Sequence, residues 1–185
     1  ETYLKVLNPR MISGHYQGRI LSLISKIVSP KKILEIGTYT GYSAICLCEG
    51  MDKDGVLHTI DNNKELVEIQ NKYFKKANLK DKIVQHSGDA KNIIPSIDEE
   101  FDIVFIDADK ESYPEYYDLI INKVRTGGII IADNILWSGK ILEKVEQDDQ
   151  ATKSIIEFNN KIIVDDRVEN IILPIRDGLN IIRKN

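Results

Sequence analysis

The stretch that decides the fold covers residues 33–43, where a mostly apolar run passes into a turn with two glycines: Ile33-Leu34-Glu35-Ile36-Gly37-Thr38-Tyr39-Thr40-Gly41-Tyr42-Ser43. The run is typical of a buried strand, and the two glycines allow a sharp bend and a close approach of the backbone. A helical pattern follows the turn. Since ligands of open α/β sheets bind outside the carboxyl ends of the strands, the turn is the first place to look for a ligand.

Short strand-like runs alternate with helical patterns along the rest of the chain. After the first run, further runs occupy residues 56–60, 83–86, 103–106 and 128–132. The last two of these are continuously apolar, as in parallel strands that are covered on both faces. Two more runs, 168–174 and 179–183, are separated only by a turn and must pair antiparallel. We predict an α/β fold in a single domain spanning residues 1–185, with helices on both faces of a mixed sheet.

The composition fits one globular domain. The chain has 185 residues, 42% of them hydrophobic, and a formal net charge of −4. This balance does not favour a nucleic-acid partner. No run of ~18 apolar residues occurs, so we expect no membrane span. Cys46 and Cys48 are expected to be unpaired, which is typical of a reduced cytoplasmic setting.

The glycine turn favours a nucleoside ligand that lacks phosphates. A dinucleotide-binding turn would carry a second glycine where Tyr39 stands, and the Gly-Lys-Ser/Thr of a P-loop does not follow. Asp61 ends the second run, where an acid accepts hydrogen bonds from ribose hydroxyls. Glu35 and Ser43 are candidates to bind an amino-acid portion. These features predict S-adenosylmethionine; the alternative is that Asp61 only caps a helix and the glycines only turn the chain.

Polar side chains follow two neighbouring strands of the predicted sheet. Asp107 ends the run 103–106, Asp133 and Asn134 end the run 128–132, and Lys110 lies three residues beyond Asp107. Oxygen donors without thiol or imidazole suit Mg²⁺, or another divalent cation such as Mn²⁺ or Ca²⁺. Such a cation would lower the pKa of a bound phenol, and Lys110 would take the proton or stabilise the phenolate. The alternative is that these residues are helix caps and solvated loop acids.

These residues together resemble those of the cation-dependent O-methyltransferases, the group that includes the caffeoyl-CoA and catechol O-methyltransferases. The matching stretches run through nearly the whole chain: Met11-Ile12-Ser13, residues 34–43, Asp61, Gly88-Asp89-Ala90, Phe101-Asp102, Asp107-Ala108-Asp109-Lys110, Gly127-Gly128, residues 133–139, Leu173-Pro174 and Asp177-Gly178.

The resemblance implies a Rossmann-like class I methyltransferase fold, with a seven-stranded mixed sheet whose last strand is antiparallel, and a homodimer. It implies that S-adenosylmethionine binds Ser13, Glu35, Gly37, Thr38, Ser43, Asp61, Asp89, Ala90 and Asp109. It assigns the metal to Asp107, Asp133 and Asn134, and the catalytic roles to Lys110 and Asp107. The acceptor would lie against Met11, Trp137 and Ser138, with residues 140–150 as a further wall.

Several hypotheses about the acceptor stay open. The leading one is a small aromatic compound with vicinal hydroxyls, because plant members that use acyl-CoA acceptors carry a longer N-terminal region. A second is a hydroxylated uridine in tRNA, which predicts a basic groove beside the metal formed by Lys31, Lys32, Lys140 and Lys144. A third is a protein that binds the cofactor without turnover, which the intact set of metal and lysine residues argues against. A nicotinamide dehydrogenase is disfavoured by Tyr39.

Overall fold

The computed structural model describes residues 11–185, and within them seven strands form one sheet. The strands are β1 (Lys32–Ile36), β2 (Val56–Asp61), β3 (Ile83–Ser87), β4 (Phe101–Ile106), β5 (Val124–Asp133), β6 (Val168–Leu173) and β7 (Leu179–Lys184). Their order is β3-β2-β1-β4-β5-β7-β6. The first five are parallel, and β7 runs antiparallel to both β5 and β6. The predicted mixed sheet with a reversed last strand is confirmed.

Helices cover both faces of the sheet, as predicted. They are α1 (Gly14–Val28), α2 (Tyr42–Cys48), α3 (Val67–Lys76), α4 (Ala90–Ile93), α5 (Tyr113–Ile120) and α6 (Gln150–Ile163). The first three pack on one face and the last three on the other. Strand β4 shows why its sequence is continuously apolar: Ile103 and Phe105 enter one core, and Val104 and Ile106 enter the other.

Short single-turn helices connect several elements, and their boundaries follow the local sequence. The predicted cap at residue 62 or 63 is Asn63, whose side chain accepts a hydrogen bond from the Glu65 N–H at the start of a 3-10 turn, Lys64–Leu66. The polar loop before α6 ends at Asp149, which caps that helix through the Thr152 N–H. Over residues 11–185, no helix is both long and apolar enough to cross a bilayer.

In the sheet, β2 and β3 lie on one side of β1, and β4 and β5 lie on the other. The glycine turn follows β1, at the point where the strand order changes direction. The Gly37 N–H donates to the Ile60 carbonyl and the Asp107 N–H donates to the Ile36 carbonyl, so three strand ends are tied together. Gly37 has φ +98°, and a Cβ there would lie 2.0 Å from the Asp107 carbonyl oxygen. The turn therefore needs a glycine, and it opens into the crevice where such sheets bind ligands.

Candidate functional site

A cavity of about 1230 Å³ opens at the carboxyl ends of the parallel strands. Most of the predicted site residues line it: Met11, Ser13, Gly37, Thr38, Ser43, Asp61, Asp89, Ala90, Asp107, Asp109, Lys110, Asp133, Asn134 and Trp137. Among the described residues, its lining carries six carboxylates against three cationic side chains. This excess of negative charge suits a ligand that carries positive charge.

Asp61 fastens the glycine turn. Its Oδ2 accepts hydrogen bonds from the N–H groups of Thr38 (3.1 Å) and Tyr39 (2.7 Å), and its Oδ1 accepts one from Asn63 N–H (2.8 Å). These contacts hold Tyr39 in a left-handed conformation, with φ +45°. The predicted role of Asp61 toward a ribose stays a prediction; the contacts add a role in shaping the turn.

Glu35 lies beneath the cavity rather than in its lining. The side chain is fully buried, and its Oε2 accepts a hydrogen bond from the Thr59 hydroxyl (2.6 Å), which in turn lies 2.5 Å from the Thr38 hydroxyl. Burial, reinforced by the nearby carboxylates of Asp107 and Asp61, raises the pKa of Glu35 to about 8. Glu35 would therefore act on a ligand through residues of the lining: Thr38 by way of Thr59, and Ser43.

A second group of contacts shapes the rim near α4. Asp109 Oδ1 accepts a hydrogen bond from the Tyr116 hydroxyl at 2.5 Å. Burial opposes the charged form of Asp109, but hydrogen bonds from Ser112 and Tyr116 outweigh it, and its pKa is lowered. Asp89 Oδ1 caps α4 through the Lys91 N–H at 2.9 Å. Tyr116 also lines the cavity, although its position in the sequence did not indicate this.

The predicted metal residues meet at the end of β5. Asp133 is 3% exposed, and its two carboxylate oxygens accept hydrogen bonds from the Asn134 N–H and from Gln17 Nε2, both at 2.7 Å. Burial, reinforced by Asp107, raises the pKa of Asp133 above its ordinary value. Asn134 has φ +60° and lines the cavity beside it.

These residues fit a divalent cation by the chemistry of their donors. Two carboxylates that repel each other and one amide group offer hard oxygens, which Mg²⁺, Mn²⁺ and Ca²⁺ prefer. In residues 11–185, no three His, Cys, Asp or Glu side chains form a metal-binding group. The predicted set has only two carboxylates, so water or substrate oxygens would have to complete the coordination.

Two contacts fix Lys110 beside Asp107, one of the predicted metal residues. Its Nζ donates to Asp107 Oδ1 (3.1 Å) and to the Tyr113 hydroxyl (2.7 Å), and it lies 4.7 Å from the centre of the Tyr113 ring. The Tyr113 hydroxyl in turn lies 2.8 Å from the Asp133 carbonyl oxygen. Tyr113 therefore joins Lys110 to the end of β5, a role that its sequence position did not indicate.

The predicted acceptor wall is assembled only in part. Met11 and Trp137 line the cavity, whereas Ser138 and residues 140–150 are not among the described residues that do so. Three consecutive residues, 137–139, have positive φ, and the Ser138 N–H donates to Asp177 Oδ1 at 2.6 Å. The contacts predicted between an acceptor and Ser138 or residues 140–150 therefore stay predictions.

The predicted basic groove is not assembled beside the metal residues. Lys31 and Lys32 lie at the amino end of β1, opposite the cavity, and Lys32 pairs with Glu99 at 2.6 Å. Lys140 pairs with Asp149 at 3.2 Å, and Lys144 is exposed on the loop before α6. Parallel strands carry their two ends to opposite edges of the sheet, which the spacing of lysines in the sequence did not reveal.

Two further residues contribute to the site without matching any of the motifs: Gln17, which contacts Asp133, and Arg176. Gln17 is fully buried on α1, and Arg176 lines the cavity from the turn between β6 and β7. A polar residue at a core-facing position of an amphipathic helix was the signal for Gln17. No comparable signal marked Arg176.

A sequence model of a family described as O-methyltransferase matches residues 1–185. The chain is 34% identical over 191 residues to a caffeoyl-CoA O-methyltransferase of Medicago sativa, covering 94% of this chain and 75% of that protein. It is 33% identical over 187 residues to tricin synthase 2 of rice, covering 94% of this chain but only 63% of that protein.

Solved structures of similar proteins share the fold. An O-methyltransferase from Bacillus cereus, solved in complex with SAH, is 29% identical and has a TM-score of 0.88, with 93% of this chain and 82% of that chain covered. The O-methyltransferase TomG of Streptomyces achromogenes, solved in complex with SAM, is 27% identical and has a TM-score of 0.89, with 96% and 83% covered.

Proposed function

The chain belongs to the O-methyltransferase family, and from this premise we propose that it transfers a methyl group from S-adenosylmethionine to a hydroxyl of a small catechol-like compound, with the help of a divalent cation. The observation that carries the proposal is the meeting of Asp107, Lys110 and Asp133 in one cavity with the glycine turn. The similar caffeoyl-CoA O-methyltransferase and the rice relative support the reaction class.

S-adenosylmethionine is supported as the methyl donor by two observations. The cavity lining is rich in carboxylates, which favours a cationic sulfonium, and the bulky Tyr39 stands where a pyrophosphate would need a glycine. Two structural neighbours are described as complexes with SAH and SAM. We propose that the donor binds Ser13, Gly37, Thr38, Ser43, Asp61, Asp89, Ala90 and Asp109, with Glu35 acting from below through Thr59 and Thr38.

Asp107, Asp133 and Asn134 would hold the cation, for which Mg²⁺ is the first choice and Mn²⁺ or Ca²⁺ are alternatives. When bound, the cation would supply positive charge that lowers the pKa of a coordinated phenol. Support comes from the two carboxylates themselves: burial and mutual repulsion raise the pKa of Asp133, and a cation at this place offsets that cost.

The residues of this chain orient the reacting groups and move the proton. The acceptor oxygen attacks the sulfonium methyl carbon, a C–O bond forms as the C–S bond breaks, and S-adenosylhomocysteine leaves. Lys110 takes the hydroxyl proton or, if it stays charged, stabilises the phenolate. Its contacts with Asp107 and Tyr113 fix the position of the ammonium group. Met11 and Trp137 would pack against the acceptor, and holding both reactants in line supplies much of the rate.

A methyl-transfer screen tests the proposal. Purified protein is incubated with S-adenosylmethionine and a panel of catechols, flavonoids and tRNA, with Mg²⁺ or with excess chelator. We expect transfer to catechols that the chelator abolishes. Asp133→Ala should lose transfer and keep donor binding in calorimetry. Full activity in excess chelator would contradict the metal-dependent reaction, and transfer to tRNA alone would favour the second acceptor class.

The two alternatives have less support. The tRNA hypothesis needs a basic groove, and two of its four lysines lie at the opposite edge of the sheet. A binding protein without turnover would not need Lys110 held between Asp107 and Tyr113.

We also propose that residues 1–185 act as one domain, within a homodimer in the cytoplasm. Leu23 and Ile27, which are 59% and 75% exposed on α1, support a contact between copies, and Cys46 and Cys48 are buried and unbridged.

A further inference from the structure

A buried amide links the end of β5 to the turn between β6 and β7. Gln17 lies on α1 and is fully buried. Its Nε2 lies 2.7 Å from Asp133 Oδ2, and its Oε1 lies 3.4 Å from Arg176 Nη1. Gln17 is 116 positions from Asp133 in the sequence and 159 positions from Arg176. Only the fold brings the three residues together.

The chemistry of the partners fixes which way the amide points. A guanidinium only donates hydrogen bonds, and an ionised carboxylate only accepts them. The amide oxygen of Gln17 must therefore face Arg176, and its NH₂ group must face Asp133. A flipped amide would place two donors against each other on one side and two acceptors on the other, and burial makes such pairs costly.

We propose that Gln17 is a positioning residue for Asp133 and that Arg176 acts through it; this inference rests on the proposed metal-dependent function. Asp133 Oδ1 is held by the Asn134 N–H, and Oδ2 is held by Gln17. With one donor on each oxygen, the carboxylate cannot rotate about its Cβ–Cγ bond without losing a buried hydrogen bond. Donors of this kind orient metal-binding groups and keep a buried carboxylate ionised.

Arg176 fixes the helix that carries Gln17. It stands in a left-handed conformation with φ +53°, which is uncommon for a residue with a long side chain. Its Nη1 donates to the carbonyl oxygens of Ile12 (3.3 Å) and Ser13, just before α1 begins. The guanidinium thus sets both the position of the first turn of α1 and the orientation of the Gln17 amide.

Cation affinity, measured without turnover, tests the inference. Gln17→Met keeps the length of the side chain and removes both hydrogen bonds. We expect the Mn²⁺ dissociation constant, measured by electron paramagnetic resonance, to rise by roughly 10–100-fold, the effect typical of losing such a partner. Affinity for S-adenosylhomocysteine, measured by calorimetry, should change less than about twofold, because Gln17 does not line the cavity. Circular dichroism and thermal melting verify that the variant is folded.

The matched control is Ser22→Ala, which removes a part-buried hydrogen bond from a buried side chain of the same helix to Glu49, with no link to Asp133. It should bind Mn²⁺ as the unchanged protein does. If Ser22→Ala weakens Mn²⁺ binding as much as Gln17→Met does, the loss reflects a general loosening of α1. That result would overturn the inference. Unchanged Mn²⁺ affinity in Gln17→Met would also overturn it.

The role of Arg176 is tested by a double-mutant cycle. Arg176→Met alone should weaken Mn²⁺ binding, and in the Gln17→Met background it should have little further effect, because it acts through the amide. Additive losses would overturn the part of the inference that concerns Arg176. If the unchanged protein binds no Mn²⁺ at all, the metal-dependent function itself fails and the inference falls with it, a result visible before any variant is made.

Discussion

Tyr113 shows how one side chain supports Lys110, the proposed catalytic lysine. Its ring is fully buried, and its hydroxyl contacts both Lys110 Nζ and the Asp133 carbonyl oxygen. Tyr113→Phe keeps the ring beside the ammonium group and removes those hydrogen bonds. We expect a loss of about 1–3 kcal/mol in the free energy of unfolding. We also expect kcat to fall about tenfold, equivalent to about 1.4 kcal/mol, because Lys110 loses one of its two anchors.

Tyr117 on the same helix is the control for this experiment. Its ring is also fully buried against Phe158, and its hydroxyl donates to Asp165 Oδ2 at 2.8 Å, away from the cavity. Tyr117→Phe should lower stability in urea unfolding without lowering kcat. If both variants lose kcat equally, the effect of Tyr113 is one of stability alone, and its support of Lys110 is contradicted.

Glu35 makes a prediction about pH. Its pKa is raised to about 8 in the folded protein by burial, whereas a glutamate in the unfolded chain titrates near ~4.3. Between these values the folded state holds a proton that the unfolded state has lost, so stability falls as pH rises. Glu35→Gln removes the group and so cancels this fall. The free energy of unfolding of the variant, relative to that of the unchanged protein, should therefore rise by up to about 1.4 kcal/mol for each pH unit between pH 5 and 8.

The measurement is urea unfolding of the ligand-free protein at several pH values. Glu49 provides the contrast, because hydrogen bonds from Arg19 lower its pKa to about 2. Its stabilising effect is lost only as pH falls below ~4.3, so Glu49→Gln should show a constant difference from the unchanged protein between pH 5 and 8. A constant difference for Glu35→Gln as well would mean that Glu35 is ionised in the fold.

At the level of elements, the glycine turn makes the sharpest prediction. A methyl group at residue 37 would lie 2.0 Å from the Asp107 carbonyl oxygen and would force β1 and β4 apart at the site. Gly139 also has positive φ, at +82°, but nothing described lies within 4 Å of an added Cβ. Gly139→Ala should therefore cost only the backbone strain, about 1 kcal/mol, whereas Gly37→Ala should cost at least about 2 kcal/mol more.

Urea unfolding measures the stability of the two variants, and calorimetry measures their affinity for the methyl donor. We expect Gly37→Ala to lose donor affinity, because the turn and Asp107 both line the cavity, and Gly139→Ala to keep it. Equal losses of stability in the two variants would show that conformation alone, and not the close approach of the two strands, requires glycine at residue 37.

The elements were predictable where local pattern decides them. The apolar runs and the glycine turn located the strands within a few residues, because burial on both faces leaves a continuous signal. Strand β5 is an exception: it begins at Val124, four residues before the predicted run. Gly127 and Gly128 interrupt the pattern, with φ +74° at Gly127 and a shift in pairing with β4 nearby.

For the molecule as a whole, the site was predictable as far as topology dictates it. Asp61, Asp107 and Asp133 follow parallel strands, so they had to share one edge of the sheet. Side-chain direction was not predictable from spacing: Glu35, a predicted donor-binding residue, is fully buried and is not among the described lining residues. Gln17 and Arg176 come from α1 and the last hairpin, and only the packing of distant elements shows that they reach Asp133.

Because the cavity is lined by residues from Met11 to Arg176, a ligand bound there should stabilise the fold as one unit. S-adenosylhomocysteine at about 100 times its dissociation constant should add about 2.7 kcal/mol to the free energy of unfolding. For a chain of this length, each kcal/mol raises Tm by roughly 2–4 °C, so calorimetry should show one transition shifted upward by roughly 5–10 °C.

NAD⁺ is the control ligand and should cause no shift, because Tyr39 occupies the place of a pyrophosphate-binding glycine. Ser138→Ala should show the same shift as the unchanged protein, since Ser138 is exposed and is not among the described lining residues. A transition that splits in two on ligand binding would contradict a single domain, and a shift with NAD⁺ would contradict the choice of methyl donor.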